Sequence, residues 1–397
     1  MEIGFPTAVL VFGGLLWVAA MLSGVMRGTV LSISIFSVAC GFALAELGVV
    51  AVSPGSAGLR HLAEIALILT LFSDGLIVQR ELLRRHWDSP ARSLAVAMPL
   101  TMALIALAAY LLFPSLSWAE AFLLGAILAP TDPVVSSQVV SDENVPIRIR
   151  HALNLESGLN DGLAVPLVLF FLILATPGGA PIEEGLRLLG EAVAGLAIGV
   201  GLGYASGRLH PRLPLGGVVE QYAGIFALGV ALSAYGVAEL TIGNGLIAAF
   251  CAGAALAQVE ESGLPEELGA FSEYSSSVAQ VVTFFAFGAL IVTIGFDASI
   301  PALVAMIPFV FLVARPVAVY LASAGAGLEP RERGFVAWFG PKGVASMLFS
   351  LFVLESQTPH AGLIFEAASY VILASILAHG LTDTLAARRL FGGERSS

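Results

Sequence analysis

Long apolar stretches recur along this chain of 397 residues and divide it into blocks of similar length. A helix needs about 20 mainly apolar residues to cross the hydrocarbon of a bilayer. Stretches of that length follow one another here, with most Arg, Pro, Asp and Glu residues collected between them. Hydrophobic residues make up 57% of the chain and charged residues 12%, with a mean hydropathy of +0.91. A single soluble core with a polar shell cannot be built from that composition, so the sequence predicts a polytopic membrane protein.

The stretches predict helices and not the strands of a β-barrel. They are rich in Gly and Leu and lack the period-two alternation of barrel strands. The predicted fold class is therefore an all-α membrane protein with thirteen transmembrane helices. The predicted spans are 6–25, 29–51, 60–80, 93–113, 119–140, 152–176, 186–206, 217–238, 243–259, 273–296, 300–324, 333–354 and 362–386.

The distribution of basic residues predicts the orientation. Most of the eighteen fall in alternate connections or in the C-terminal tail, and only Arg60 and Arg187 fall in the opposite set. The positive-inside rule then places the N-terminus outside and the C-terminus in the cytoplasm, which requires an odd number of spans. The first span follows an uncharged Met and an acidic Glu2, so we expect it to be retained in the cell (inner) membrane and not cleaved as a signal peptide.

The net charge of −11 and the two cysteines exclude several classes of function. The acidic residues lie mainly in loops, and no basic patch indicates a nucleic-acid partner. Cys40 and Cys251 both lie inside predicted spans, so we interpret them as core residues and not as a disulfide, a metal site or a thiol catalyst. No cofactor and no enzymatic activity are predicted.

A few charged residues lie within the spans themselves. An Asp, Lys or Arg at the centre of a membrane helix costs about 2.5–3.5 kcal/mol on insertion scales, so each one is a candidate functional residue. Asp74 and Arg315 fall near span ends, where a structural ion pair or snorkelling explains them equally well, and no role is assigned to them or to Glu239. The complete set is Asp74, Asp132, Glu156, Asp161, Arg315 and Lys342, with Glu239 near a membrane surface.

Two spans are predicted to be interrupted. The fifth contains Ala-Pro-Thr-Asp-Pro at 129–133 and the twelfth contains Gly-Pro-Lys-Gly at 340–343, and proline bars a continuous helix in both. If spans 1–6 and 8–13 are two six-helix repeats, the interruptions occupy matching positions in copies of opposite orientation. This pattern is typical of inverted-repeat transporters, whose site lies where two discontinuous helices cross.

The sixth span carries the densest polar chemistry. Ser157 and Asp161 are four residues apart and share a helix face, and Glu156 and Asn160 form a second such pair. A carboxylate flanked by a hydroxyl and an amide is a hard oxygen site suited to Na⁺, Li⁺ or a proton. Burial favours the protonated form of a carboxyl group. We therefore expect Asp161 to exchange a proton for a cation near neutral pH.

Three motifs resemble those of the monovalent cation/proton antiporters: 129–133, Glu-Ser-Gly-Leu-Asn-Asp-Gly at 156–162, and Gly-Asn-Gly-Leu-Ile-Ala-Ala-Phe at 243–250. The adjacent Asn160 and Asp161 are similar to the NhaP/NHE-type branch. The resemblance implies a sodium/proton antiporter that forms a homodimer, in which a core domain moves against a dimerisation domain. The implied division is a dimerisation domain at 1–92 and 211–298, a core domain at 93–177 and 299–390, a linking helix at 178–210 and a cytoplasmic tail at 391–397.

The resemblance also implies roles for individual residues. Asp161 would bind the cation and the proton, with Asp132, Ser157 and the Thr131 main chain completing the Na⁺ coordination, and Asn160 would stabilise the site. Glu156 would pair with a basic residue at position 342. The family has Arg there, whereas this chain has Lys342, its only lysine.

Lys342 leaves the stoichiometry open. Held by Glu156, it would be a structural clamp, and exchange would be electroneutral. Held loosely, it could carry a second proton, and two protons per sodium ion would gain about 2.3 kcal/mol per 100 mV. We expect one-for-one exchange.

Other activities stay open at the level of sequence. K⁺/H⁺ exchange by the same fold is the nearest alternative to Na⁺ or Li⁺ exchange. A channel or uniporter would conduct without moving protons in return. An intramembrane hydrolase would use Asp132 and Asp161 as a carboxylate dyad. The expected partners are monovalent cations, membrane lipids and a second copy of the chain.

Overall fold

The computed structural model describes residues 5–26, 33–52, 56–77, 92–132, 145–177, 181–209, 218–259, 266–293, 298–325 and 327–391. All regular elements in these ranges are helical, which confirms the all-α fold class. The helices are α1 Phe5–Met26, α2 Ile33–Glu46, α3 Ala57–Ile77, α4 Ser93–Leu112, α5 Trp118–Leu128, α6 Ile147–Ala175, α7 Pro181–Leu209, α8 Ala223–Glu239, α9 Gly245–Ala257, α10 Glu266–Ile291, α11 Ile300–Ala322, α12 Pro330–Trp338, α13 Val344–Leu354 and α14 Ala361–Phe391.

Five of the described helices are by themselves long and apolar enough to cross a membrane, namely α4, α6, α7, α11 and α14. Shorter apolar helices include α5 and α13, which are the segments expected to be cut short by an interruption. The number thirteen stays a prediction, because residues 133–144 and several connections lie outside the described ranges.

Helices of this chain approach each other closely through glycine. A Cβ atom added at Gly41 of α2 would lie 2.0 Å from the Phe285 carbonyl oxygen of α10, and one at Gly288 would lie 2.0 Å from the Val38 carbonyl oxygen. α7 packs on α9 in the same way at Gly199. Association of helices in lipid depends on such close van der Waals packing between small residues.

α11 changes its winding directly before a charged residue. A π-helical turn at Val310–Ala314 leads into Arg315. Pro308 and Pro316 flank that turn, and neither can donate a backbone hydrogen bond. Single π-turns of this kind are frequent at functional sites.

The two interruptions predicted from the sequence lie against each other. α5 ends at Leu128, and the backbone of 339–343 leaves the helix between α12 and α13. The Asp132 N–H donates to the Pro341 carbonyl oxygen at 2.9 Å, so the two unwound segments are joined through the main chain. The rest of the predicted fifth span, at 133–140, lies outside the described residues.

Candidate functional site

Lys342 lies in the interruption of the predicted twelfth span, called the second interruption, and hydrogen-bonds to that of the fifth span, called the first interruption. Its side chain is fully buried, and Nζ donates to the carbonyl oxygens of Ala129 at 3.3 Å and Pro130 at 3.1 Å. Carbonyls of an unwound segment have no helical partner and need one at membrane depth. Lys342 therefore stabilises the end of α5.

Asp132 caps the half-helix that follows the second interruption. Its Oδ2 accepts a hydrogen bond from the Val344 N–H at 2.9 Å, at the N-terminus of α13. An acidic side chain is favoured there because the first N–H groups of a helix carry partial positive charge. A Cβ atom at Gly343 would lie 1.8 Å from Asp132 Oδ2, so this approach requires glycine.

The partner of Glu156 is Arg315, and the expected pairing of Glu156 with Lys342 is wrong. Arg315 Nη1 lies 3.0 Å from Glu156 Oε1, and both side chains are buried. Nη2 of the same guanidinium also donates to the carbonyl oxygens of Val336 and Phe339, at 3.3 and 3.1 Å. The guanidinium fork can satisfy a carboxylate and the end of α12 together, whereas the single ammonium of Lys342 is directed to the first interruption.

A hydroxyl and amide cluster lies between α6 and the first interruption. Asn160 Nδ2 donates to Thr131 Oγ1 at 2.8 Å, and Thr131 Oγ1 lies 3.2 Å from Ser157 Oγ. The three side chains are buried. Within the described part of the chain, Asn160 Oδ1 is buried without a hydrogen-bond partner.

Asp161 is 3% exposed and lies within electrostatic reach of Asp74, Asp132 and Lys342. Asp74 of α3 is also buried, and it packs on α6 where a Cβ atom at Gly158 would lie 3.6 Å from its own. The structure therefore brings a third aspartate to the pair predicted from the sequence. The charge of Asp74 inside a predicted span was the signal for this residue in the sequence. Its place near a span end left a structural ion pair or snorkelling as an equally good explanation, so no role was assigned to it.

Glu239 is separate from this cluster. It is exposed, and its Oε1 accepts a hydrogen bond from the Gly245 N–H at 2.9 Å, near the start of α9. This contact accounts for Glu239 as a capping residue.

Comparison with known proteins identifies the family. The model of the sodium/hydrogen exchanger transmembrane family matches residues 11–388. The K(+)/H(+) antiporter NhaP of Alkalimonas amylolytica is 27% identical over 335 residues, which are 83% of this chain and 57% of that protein. The Na(+)/H(+) antiporter 2 of Zygosaccharomyces rouxii is 32% identical over 207 residues, covering 50% of this chain and 26% of the relative. The chain thus spans about half the length, or less, of the curated relatives it matches.

Solved structures share the fold. The sodium proton antiporter MjNhaP1 of Methanocaldococcus jannaschii at pH 8 aligns with a TM-score of 0.78 and 20% identity, over 96% of this chain and 98% of that one. A second structure of the same protein, from electron microscopy, aligns with a TM-score of 0.81 and 18% identity, over 99% and 100%. The chain belongs to the sodium/hydrogen exchanger family of multi-pass membrane transporters, with the fold of an NhaP-type antiporter.

Proposed function

We propose that this protein exchanges Na⁺ or Li⁺ for H⁺ across the membrane by alternating access, with Asp161 as the shared cation and proton site. The observation that carries the proposal is the buried charge of the cluster. Its four carboxylates are Asp74, Asp132, Glu156 and Asp161, and its two basic groups are Arg315 and Lys342. With all six ionised, the cluster has a net charge of −2, and burial of uncompensated charge is costly. A bound cation or proton reduces that charge.

The donor set suits an alkali cation. In this proposal Asp161, Asp132, Ser157 and the Thr131 main chain would supply the oxygen ligands, and hard cations prefer oxygen. Asn160, Glu156 and Lys342 would stabilise the site. Protons and cations that compete for one carboxylate exchange one for one, so each cycle moves no net charge.

The proposal includes the arrangement of domains, the oligomeric state and the orientation in the membrane. The core domain, at 93–177 and 299–390, would move against a dimerisation domain at 1–92 and 211–298, with helix 178–210 linking them. Two copies would form the working unit. The N-terminus would face outside and the C-terminal tail, from 391, the cytoplasm of a cell with an inner membrane.

K⁺/H⁺ exchange is the second candidate, because several bacterial relatives are named K(+)/H(+) antiporters. The two ions differ in radius and in the cost of dehydration. The comparison that separates them is the order of apparent affinities in parallel series of Na⁺, Li⁺ and K⁺.

Removal of the Asp161 charge tests the proposal. We expect reconstituted vesicles with an internal pH dye to show cation-driven proton movement that Asp161→Asn abolishes, because the isosteric amide cannot take up a proton. Glu239→Gln serves as the control, since Glu239 lies outside the cluster, and it should retain exchange. Cation flux without counter-transport of protons would indicate a channel, and full activity of Asp161→Asn would contradict the assignment of the site.

A further inference from the structure

We infer that His379 and Ser375 of α14 are positioning residues for the cation site, which hold the second interruption at the residue before it and at Lys342 within it. The inference rests on the proposed function, since that function defines the cation site. Its structural evidence is a set of hydrogen bonds. His379 is buried, and its Nε2 lies 2.9 Å from the carbonyl oxygen of Trp338, the last residue of α12. The Lys342 N–H, within the interruption, donates to Ser375 Oγ at 2.7 Å.

The neutral ring of His379 has one N–H group, whereas carbonyl oxygens lie beside both of its nitrogens, Trp338 at Nε2 and Ser375 at Nδ1. In the tautomer with the hydrogen on Nε2, the ring donates to the Trp338 carbonyl oxygen, which can only accept. Ser375 Oγ accepts from Lys342 and can donate its own hydrogen to His379 Nδ1, which lies 3.2 Å away. Nδ1 also lies 2.8 Å from the Ser375 carbonyl oxygen. Donation there as well would make the ring cationic, and that would add a third positive charge beside Lys342 and Arg315.

Trp338 is held by α14 a second time. Its Nε1–H donates to Thr382 Oγ1 at 3.0 Å, and the Thr382 hydroxyl donates to the Ala378 carbonyl oxygen at 2.7 Å. The end of α12 is thus tied to α14 through both a backbone and a side-chain atom.

These bonds reach the cation site through Lys342. Its backbone is fixed by Ser375, and its Nζ donates to the carbonyl oxygens of Ala129 and Pro130. A shift of this backbone would therefore move the first interruption, where Asp132 and Thr131 lie. Binding sites need their groups held within about 0.5 Å by supporting side chains.

The test compares two serines of the same helix. Ser375 and Ser369 are both buried in α14, but Ser369 Oγ has no hydrogen-bond partner among the described residues. Loss of an outer-shell partner costs about 10–100-fold in affinity at metal sites. For this weaker indirect contact we expect Ser375→Ala to raise the apparent KM for Na⁺ roughly 3- to 10-fold, with Ser369→Ala unchanged.

His379 supplies a second pair of variants. His379→Ala removes the donor to Trp338, whereas the amide of His379→Gln can still donate to that carbonyl. We expect a raised KM in the alanine variant and partial recovery in the glutamine variant. If His379→Ala fails to fold, Ser375→Ala alone decides the inference.

The Na⁺ concentration that produces a half-maximal rise in Tm gives a readout that does not depend on transport. Equal values for Ser375→Ala and Ser369→Ala, in both KM and this midpoint, would overturn the inference. So would a lower yield of Ser375→Ala with unchanged Na⁺ affinity, since that is a purely structural effect. Absence of exchange by the unaltered protein would instead defeat the proposed function, and the Tm comparison would still test the positioning role.

Discussion

At the scale of single residues, the site depends on the difference between Arg and Lys. Arg315 presents several N–H groups in one plane and meets the Glu156 carboxylate together with the backbone carbonyls of Val336 in α12 and of Phe339 directly after it. Lys342 presents one ammonium group and meets two carbonyls of the opposite interruption. The two buried basic side chains therefore stabilise different interruptions: Arg315 contacts the start of the second, and Lys342 contacts the first.

Arg315→Lys should destabilise the protein although the charge is kept. The lysine side chain is shorter and ends in a single ammonium group, so it cannot make all three contacts of the guanidinium. Breaking a buried ion pair costs about 3–5 kcal/mol. We expect a clear fall in Tm in detergent, measured by thermal denaturation. Arg60→Lys is the control, because the exposed Arg60–Glu64 contact belongs to a class worth about 0–1 kcal/mol. Equal Tm values for the two variants would contradict a structural role for the Arg315 pair.

At the scale of helices, two short segments replace continuous spans. α5 ends at Leu128 and α13 begins at Val344, and the main chains of the interruptions hydrogen-bond to each other. Asp132, in the first interruption, supplies a hydrogen-bond acceptor to the N-terminus of α13, which follows the second interruption. The same carboxylate is thus tied to the geometry of a helix end and to the proposed cation site.

Gly343→Ala should separate those two elements. The added Cβ would meet Asp132 Oδ2 at 1.8 Å, so the carboxylate must leave the Val344 N–H. We expect exchange to fall at least tenfold, on the scale of lost outer-shell contacts, measured by the pH-dye assay. Gly362→Ala is the matched control, since a Cβ there meets nothing within 4 Å. Retained exchange in Gly343→Ala would show that the cap is dispensable.

At the scale of the whole molecule, four carboxylates and two basic groups lie buried in one cluster of a membrane protein. In the proposed transport cycle, this charge must be compensated in each conformation. Both basic groups have fixed partners, Glu156 for Arg315 and the carbonyls for Lys342. Fixed partners for both basic groups support the proposal that Lys342 is a structural group and that Asp161 is the carrier.

One-for-one exchange predicts a rate that is insensitive to membrane voltage. Two protons per sodium ion would instead gain about 2.3 kcal/mol per 100 mV. The measurement is Na⁺-driven proton flux in vesicles clamped at several potentials with valinomycin and K⁺. A rate that changes with the clamped potential would contradict the electroneutral proposal and return Lys342 to the role of a second proton carrier.

Much of the fold and part of the site were predictable from local chemistry. Proline removes backbone donors wherever it stands, so the interruptions around Asp132 and Lys342 could be read from the chain itself. The i, i+4 spacing likewise placed Ser157 and Asp161 on one face of α6. The pairing of Glu156 could not be predicted, because the spacing along the chain does not say which of two distant cations reaches it.

The sequence by itself determined the all-helical membrane fold, the two interruptions and the presence of costly buried charges, since these follow from composition and from the backbone chemistry of proline. Only the tertiary structure decided that Arg315 neutralises Glu156, that Asp74 joins the aspartates and that His379 holds the second interruption. Each of these depends on contacts that spacing along the chain does not show: α3 packs on α6, Arg315 of α11 reaches Glu156 of α6, and His379 of α14 reaches Trp338 at the end of α12.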